Sequence, residues 1–573
     1  MMTVQENYNS WLQMFADDAA LVKELTDISG NQPELEDRFY CDLSFGTAGM
    51  RGVLGYGTNR MNVYTVRRAT QGLADSLDEK SKKRGVVIGY DSRRMSSEFA
   101  LETALVLCAN QVKAYLFDAL RPVALLSYGV RHLNAAAGVV ITASHNPPQY
   151  NGYKVYGEDG AQLGPEAAAM VTEKIQKLQY NEAKRITKEE ALQSGLLKII
   201  SNADVDDAYM EMVHTLSINP AICREQGHDF KIVYTPIHGS GNVPVRRILN
   251  EIGLTNVSVV KEQELPDPNF STVRVPNPED PAAFTLAKEL ANQVSADAIF
   301  GTDPDCDRLG VAVRQRDGSF CQLTGNQIGC LMLYYILSCK KQQGTLPANG
   351  AVVKSIVSTE LARAICNDFG VTLFETLTGF KFIGEKIQQF EDSGEYTYLF
   401  GFEESYGYLS GTAVRDKDGV NASMLIAEAA CYYHAQGKTL SDIMDEIFER
   451  YGFYLEKVDS KTLPGKDGLK VMADIMTRIR NNPPAAIAGI SVLRVLDILA
   501  GTETDVKTGN QRKLDYPSSD VLYFALEGGH FVCIRPSGTE PKIKLYVNVN
   551  NKQKEIAESL LQNLFDSANN LMA

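Results

Sequence analysis

GVVITASHNPPQYNGYK, from Gly138 to Lys154, begins as an apolar β-branched run and then sets a serine, a histidine and an asparagine side by side ahead of two prolines. A buried strand that ends in a polar loop is the recurring unit of an α/β domain, with ligand groups at the carboxyl end of the strand. Pro147 and Pro148 restrict the backbone of Asn146 and leave no continuing helix or ladder. Ser144 is therefore expected to be presented by a loop, not packed. A serine hydrolase would need a Gly-x-Ser-x-Gly elbow or an independent sign of a base and its orienting partner, and adjacency of Ser144 and His145 supplies neither.

The same strand, loop and helix pattern returns along the chain. Gly85–Tyr90 leads through Asp91-Ser92-Arg93 to a helix from Ser96; Lys231–Tyr234 leads through TPIHGSG to a helix that includes Arg247; Ala351–Val357 leads to a helix from Thr359. The last segment differs: Val521–Leu526, a Gly528-Gly529 turn, His530–Ile534 and Lys542–Val549 predict an antiparallel meander closed by a helix through about Leu571. Leu265–Pro281 and Ser460–Gly468 read as connectors. A chain of 573 residues is too long for one core. The expected division is 1–208, an α/β domain with a helical N-terminal extension; 209–325 and 326–458, two further α/β domains; and 459–573, an α+β domain.

Composition narrows the function. The net charge of −14 argues against nucleic acid or an anionic membrane as the main partner, so an anionic ligand must find local positive charge. The start, MMTVQENYNSWLQMFADDAALVKEL, places acidic residues where a signal peptide needs a basic end, and the longest apolar runs, such as Cys330–Leu337, are too short to span a bilayer. A cytoplasmic protein is expected. Ten scattered cysteines without a C-x-x-C pair suggest neither a zinc ribbon nor a disulfide framework.

Three more loops carry chemistry. GTDPDCDRLGV places Asp303, Asp305 and Asp307 at alternate positions; in an extended loop they would point one way and converge on a hard cation. An EF-hand would need Gly and Glu where Arg308 and Arg314 stand, and an aspartyl phosphatase would need its first Asp directly after the apolar run, where Gly301-Thr302 intervene. Three carboxylates with open coordination suit magnesium on a phosphate oxygen. GFEESYGY, Gly401 to Tyr408, offers Glu403 and Ser405 to sugar hydroxyls, whereas adjacent Glu403 and Glu404 diverge too much to form an opposed glycosidase pair. RPSGTEPKIKLY brings Arg535, Ser537, Gly538 and Thr539 together as an anion nest, with Arg535 able to grip a phosphate bidentately.

In this order, TASHNP, DPDCDR, FEES and RPSGTEP resemble the four signature loops of the α-D-phosphohexomutase superfamily, over nearly the whole chain. SFGTAGMRG (Ser44–Gly52), GYDSRR, TPIHGSG and TGFKFIGEK (Thr378–Lys386) are similar to further family segments, and the GTAGMRG entry, the long phosphate loop and DKDGV (Asp416–Val420) resemble the type shared by bacterial phosphoglucomutases and animal phosphopentomutases. The resemblance implies four domains around a central cleft. It also implies a phosphoserine at Ser144, magnesium held by that phosphate with Asp303, Asp305 and Asp307, and charge neutralisation by Arg308 and Arg51. His145 and Lys154, or Lys381, would handle the proton, and Gly379 would line the sugar site. The implied reaction interconverts glucose 1-phosphate and glucose 6-phosphate through glucose 1,6-bisphosphate. Mannose or pentose phosphates are the alternative substrates; a metal-dependent phosphatase or a sugar-phosphate sensor is an alternative of another class. Sugar phosphates are the expected partners, with no nucleic acid or membrane, and the chain is expected to be a monomer or weak homo-oligomer.

Overall fold

The computed structural model describes residues 3–46, 49–463, 468–536 and 542–572. The first sheet has six strands in the order Met50–Val53, Tyr150–Tyr156, Ala137–Ile141, Val86–Tyr90, Ala114–Phe117, Leu197–Ile200. Its last four strands are parallel and its first two antiparallel. Alternate residues explain why helices cover both faces: Val87 and Val140 enter one apolar cluster, Val86, Ile88, Val139 and Ile141 another. Helices Val4–Met14, Ala19–Asp27 and Gln32–Phe39 form the N-terminal extension, pinned by Trp11 against Phe39, Tyr64 and Tyr180.

The second sheet runs Phe320–Gln322, Leu309–Arg314, Ala298–Thr302, Ile232–Thr235, Val257–Val259, and the third Thr372–Thr376, Gly350–Ser355, Thr397–Glu403, Gly407–Ser410. Both mix parallel and antiparallel neighbours. The fourth is antiparallel and larger than the expected meander. Phe453–Thr462 pairs along its length with Lys542–Asn551, and Ile490–Asp497, Thr502–Asp505 and Gln511–Lys513 extend the other side. Three α/β units and one antiparallel unit are thus present, as the sequence reading has it.

The elements shift the expected divisions. Residue 208 lies inside helix Asp207–His214, and residue 458 lies inside strand Phe453–Thr462, so the fourth sheet begins before 459. Ser460–Thr462, read as connector, is the end of that strand; residues 464–467 lie outside the described residues. One apolar cluster runs continuously from Leu125 and Val130 through Ile248 and Phe300 to Phe402 and Ile443, joining the first three units. The fourth has its own core around Phe524, Leu545 and Leu564 and meets the third through Ile356, Val357 and Leu377 against Phe531, Cys533 and Tyr546. It is the unit most separable from the rest.

Candidate functional site

Each signature loop leaves the carboxyl end of a buried strand, and the sheets are arranged so that these ends meet. Ser144 follows Ala137–Ile141, the aspartates follow Ala298–Thr302, Glu403 ends Thr397–Glu403, and Arg535 lies at the end of Phe531–Pro536. A cavity of about 180 Å³ between the first three of these ends is lined by Arg51, Ser144, His145, Lys154, Asp307, Arg308, Gly379, Glu403 and Ser405, nine of the residues singled out in the sequence; Arg535 does not line it. It is also lined by Gln162, Phe380, Asp416 and Lys417. A larger cavity, about 960 Å³, lies between the third and fourth units beside Glu375, Phe382 and Tyr516, but it contains none of the serine, the aspartates or Glu403.

Ser144 is only 4% exposed, so the loop encloses it more than expected. Its Oγ donates to Asp303 Oδ2 at 2.9 Å and lies 3.3 Å from His145 Nδ1. Arg51 donates to Asn146 Oδ1 at 3.2 Å, from the neighbouring antiparallel strand. His145 titrates well below the ordinary imidazole value: burial disfavours its cation, and Arg308, Arg51, Arg93 and Lys544 repel it.

The aspartates converge by a turn, not by extended alternation. The Cys306 N–H donates to the Asp303 carbonyl at 2.9 Å, Cys306 has φ +50°, and the chain folds back on itself. The Asp307 and Arg308 N–H groups both donate to Asp303 Oδ1 at 3.1 Å, so the turn is closed on its own first carboxylate. The three carboxylates offer ligand atoms within 4.8 Å of one another. Burial and the neighbouring aspartates push Asp303 above the usual carboxylate range; burial opposes the Asp305 anion too, but Lys154, 3.1 Å away, holds it below that range. Asp305 Oδ1 and Asp307 Oδ1 are buried without a hydrogen-bond partner. Buried carboxylate oxygens with unused lone pairs, on a hard oxygen-only donor set, fit a divalent cation such as magnesium.

The sugar loop is held from the third sheet. Glu403 is 6% exposed and accepts from the Gly379 N–H at 2.7 Å. Burial and the adjacent Glu404 push its pKa up to about 7, against the pull of Lys417. Glu404 turns the other way and accepts from Ser355 Oγ at 3.0 Å, as the divergence of adjacent residues requires. Arg535 donates to Thr378 Oγ1, one residue before Gly379. Lys544 is its cross-strand partner and so shares its face. Ser537, Gly538 and Thr539 lie outside the described residues. Lys381 does not line the small cavity; its ammonium lies 4.9 Å from the Phe382 ring centroid, and burial lowers its pKa.

Lys417 is absent from the sequence reading of the site. Its Nζ lies 3.0 Å from Asp307 Oδ2 and 3.3 Å from Asp416 Oδ1. Although burial opposes its charge, Asp307, Asp416 and Glu403 push its pKa above the ordinary range, so it is a fixed cation between the aspartates and the sugar loop. Its only sequence signal is DKDGV, where two flanking carboxylates mask it as surface charge.

Models of the phosphoglucomutase/phosphomannomutase α/β/α domains I, II and III match residues 42–182, 207–318 and 324–451 in turn. The chain belongs to this family. Among phosphoglucomutase/phosphomannomutase relatives, a Staphylococcus aureus (strain MRSA252) phosphoglucomutase is 38% identical over 545 residues, covering 94% of this chain and 95% of the relative. A Staphylococcus epidermidis phosphoglucomutase is 37% identical over 560 residues, covering 98% and 100%. The open form of parafusin, a phosphoglucomutase from Paramecium, shares the fold with a TM-score of 0.69 at 17% identity, covering 93% of this chain and 95% of that one. Among the described residues, no helix is long and apolar enough to cross a membrane.

Proposed function

We propose that this phosphohexomutase interconverts α-D-glucose 1-phosphate and glucose 6-phosphate through a phosphorylated Ser144 and a glucose 1,6-bisphosphate intermediate. The observation that carries the reading is one small cavity holding the Ser144 hydroxyl against Asp303 on one side and Glu403 with Ser405 on the other. The 38% identity to a phosphoglucomutase over nearly the full length supports it. Magnesium would be held by Asp303, Asp305 and Asp307 with the serine phosphate, and when bound it neutralises charge on the phosphoryl oxygens.

The side chains divide the remaining work. Glu403 and Ser405 orient the sugar, and Arg535 with Lys544 grips the phosphate that stays in place. Arg308 and Lys417 are cations at the reacting end. As the sugar 6-hydroxyl attacks, the bond from phosphorus to Ser144 Oγ breaks and the hydroxyl proton must leave. His145, with Nδ1 3.3 Å from Ser144 Oγ, is the group placed to relay that proton, although burial and the nearby cations disfavour its imidazolium, whereas Lys154 and Lys417 are tied to carboxylates. The bisphosphate then turns end for end, and its 1-phosphate returns to Ser144 by the reverse transfer. The separable fourth unit allows the turn without release. We place this activity in the cytoplasm.

Turnover of glucose 1-phosphate, mannose 1-phosphate and ribose 1-phosphate, each with its bisphosphate activator, tests the assignment. Glucose 1-phosphate should be isomerised fastest. Release of inorganic phosphate at a rate matching isomer formation would instead identify a phosphatase.

A further inference from the structure

We propose that Arg93 is a positioning residue that clamps Ser144 in its working backbone conformation, an inference that rests on the phosphoserine reading above. Ser144 has φ +51°, in the left-handed region that a side chain other than glycine's occupies only when its surroundings enforce it. Arg93, 3% exposed, supplies that enforcement. One of its terminal nitrogens donates to the carbonyls of Ser144 and Asn146. The other donates to the carbonyls of Pro147 at 3.0 Å and Tyr150 at 3.1 Å. A single guanidinium thus ties four carbonyls from both ends of the serine loop, and its Nε lies 3.2 Å from Asp91 Oδ2.

Asp91 completes the grip from the amide side. It accepts from the Arg93 N–H at 2.9 Å, from Ser96 Oγ at 2.7 Å and from Thr142 Oγ1 at 2.6 Å. The Thr142 hydroxyl, whose proton faces Asp91 Oδ2 at 2.6 Å with Asp305 Oδ2 further off at 3.2 Å, turns a lone pair to the Ser144 N–H, 2.8 Å away. The peptide groups flanking Ser144 are therefore fixed on both sides, N–H through Thr142 and C=O through Arg93. The guanidinium also lies 5.0 Å from the Phe270 ring centroid, and Arg94 donates to Asn269, so the clamp is seated against the unit that carries Asp303. Arg93 does not line the substrate cavity, so it acts through Ser144 and not on the sugar phosphate. Lysine has three donors on one nitrogen and cannot reproduce the planar fork.

The test compares Arg93→Lys and Arg93→Ala with the wild-type chain, magnesium present. If the clamp positions Ser144, kcat should fall by about 100-fold, the effect of a misplaced reacting atom. KM for glucose 1-phosphate should stay within about threefold, because the sugar and remote-phosphate groups are untouched. Methylguanidine should restore part of kcat to Arg93→Ala and none to Arg93→Lys. Without substrate, amide exchange of residues 142–146 should quicken by about tenfold or more, with strand Ala137–Ile141 unchanged. Near wild-type kcat, unchanged exchange in the loop, or exchange quickened across the whole first sheet would overturn the proposal. If the wild-type chain failed to isomerise glucose 1-phosphate, the proposed function would fall, and the exchange measurement alone would still decide for or against the clamp.

Discussion

Ser144 Oγ donates to Asp303 Oδ2 at 2.9 Å, although the residues stand 159 positions apart on loops from different sheets. The contact joins the proposed nucleophile to the acidic turn and places the Ser144 hydroxyl, which also lines the small cavity, where it could carry phosphate beside a cation. Ser144→Ala should lower mutase turnover by at least about 10³-fold, as loss of a covalent nucleophile does. The intact mass of active wild-type protein should include one phosphoryl group that excess substrate removes. Full turnover in Ser144→Ala would end the phosphoserine mechanism.

Glu403 gives a pH dependence of known sign. Its pKa is raised to about 7 by burial and by Glu404, so it takes up a proton as pH falls from 8 to 6. An ionised carboxylate accepts hydrogen bonds from two sugar hydroxyls, and a protonated one gives up part of that capacity. KM for glucose 1-phosphate should therefore rise on the acid side of pH 7. Glu403→Gln should show the high KM at every pH and lose that limb, while any limb due to the substrate phosphate remains. Parallel KM profiles in the two proteins would remove Glu403 from sugar recognition.

The acidic turn is buttressed from the TPIHGSG loop. The Ser240 N–H and Oγ both donate to the Pro304 carbonyl, at 2.8 and 2.9 Å, and a Cβ on Gly239 would come within 2.6 Å of Pro304 Cα. Gly239→Ala must force the TPIHGSG loop and the acidic turn apart, which disturbs the seating of Asp303. The expected result is a magnesium requirement raised by about tenfold or more, with KM for the sugar phosphate little changed. An unaltered magnesium titration would show that the turn is not braced there.

These cases mark what the sequence could show. The placement of Ser144 and Asp303 was legible because each follows a buried strand, and that of Glu403 and Arg535 because each stands at the carboxyl end of one. Arg93 and Lys417 were hidden, since an arginine in GYDSRR and a lysine between two aspartates look like surface charge until tertiary contacts bury them. The left-handed Cys306 that converges the aspartates has no signal in residue type. Phe453–Thr462 escaped for another reason: none of its residues is fully buried, its last five are exposed, and Tyr454 and Leu455 pack against different apolar clusters, so it carries no clean alternation. Its strand character comes from Lys542–Asn551, across the rest of the fourth unit.

Arg535 should separate gripping from transfer. It reaches across from the fourth unit to Thr378, beside the Gly379 amide that holds Glu403. Arg535→Ala removes a charged donor pair worth about 1.5–3 kcal/mol per hydrogen bond to phosphate. KM for glucose 1-phosphate should rise by at least about tenfold to 100-fold, the loss of one such bond, since about 1.4 kcal/mol is a factor of ten. More glucose 1,6-bisphosphate should escape per turnover, because the turning intermediate is held less firmly, and kcat should fall less than KM rises. Phosphorylation of Ser144 by added glucose 1,6-bisphosphate should still go to completion at higher concentration, because the serine and the aspartates keep their geometry. Normal substrate affinity together with a serine that cannot be phosphorylated would place Arg535 at the reacting centre, and the division between a gripping end and a transferring end would have to be reversed.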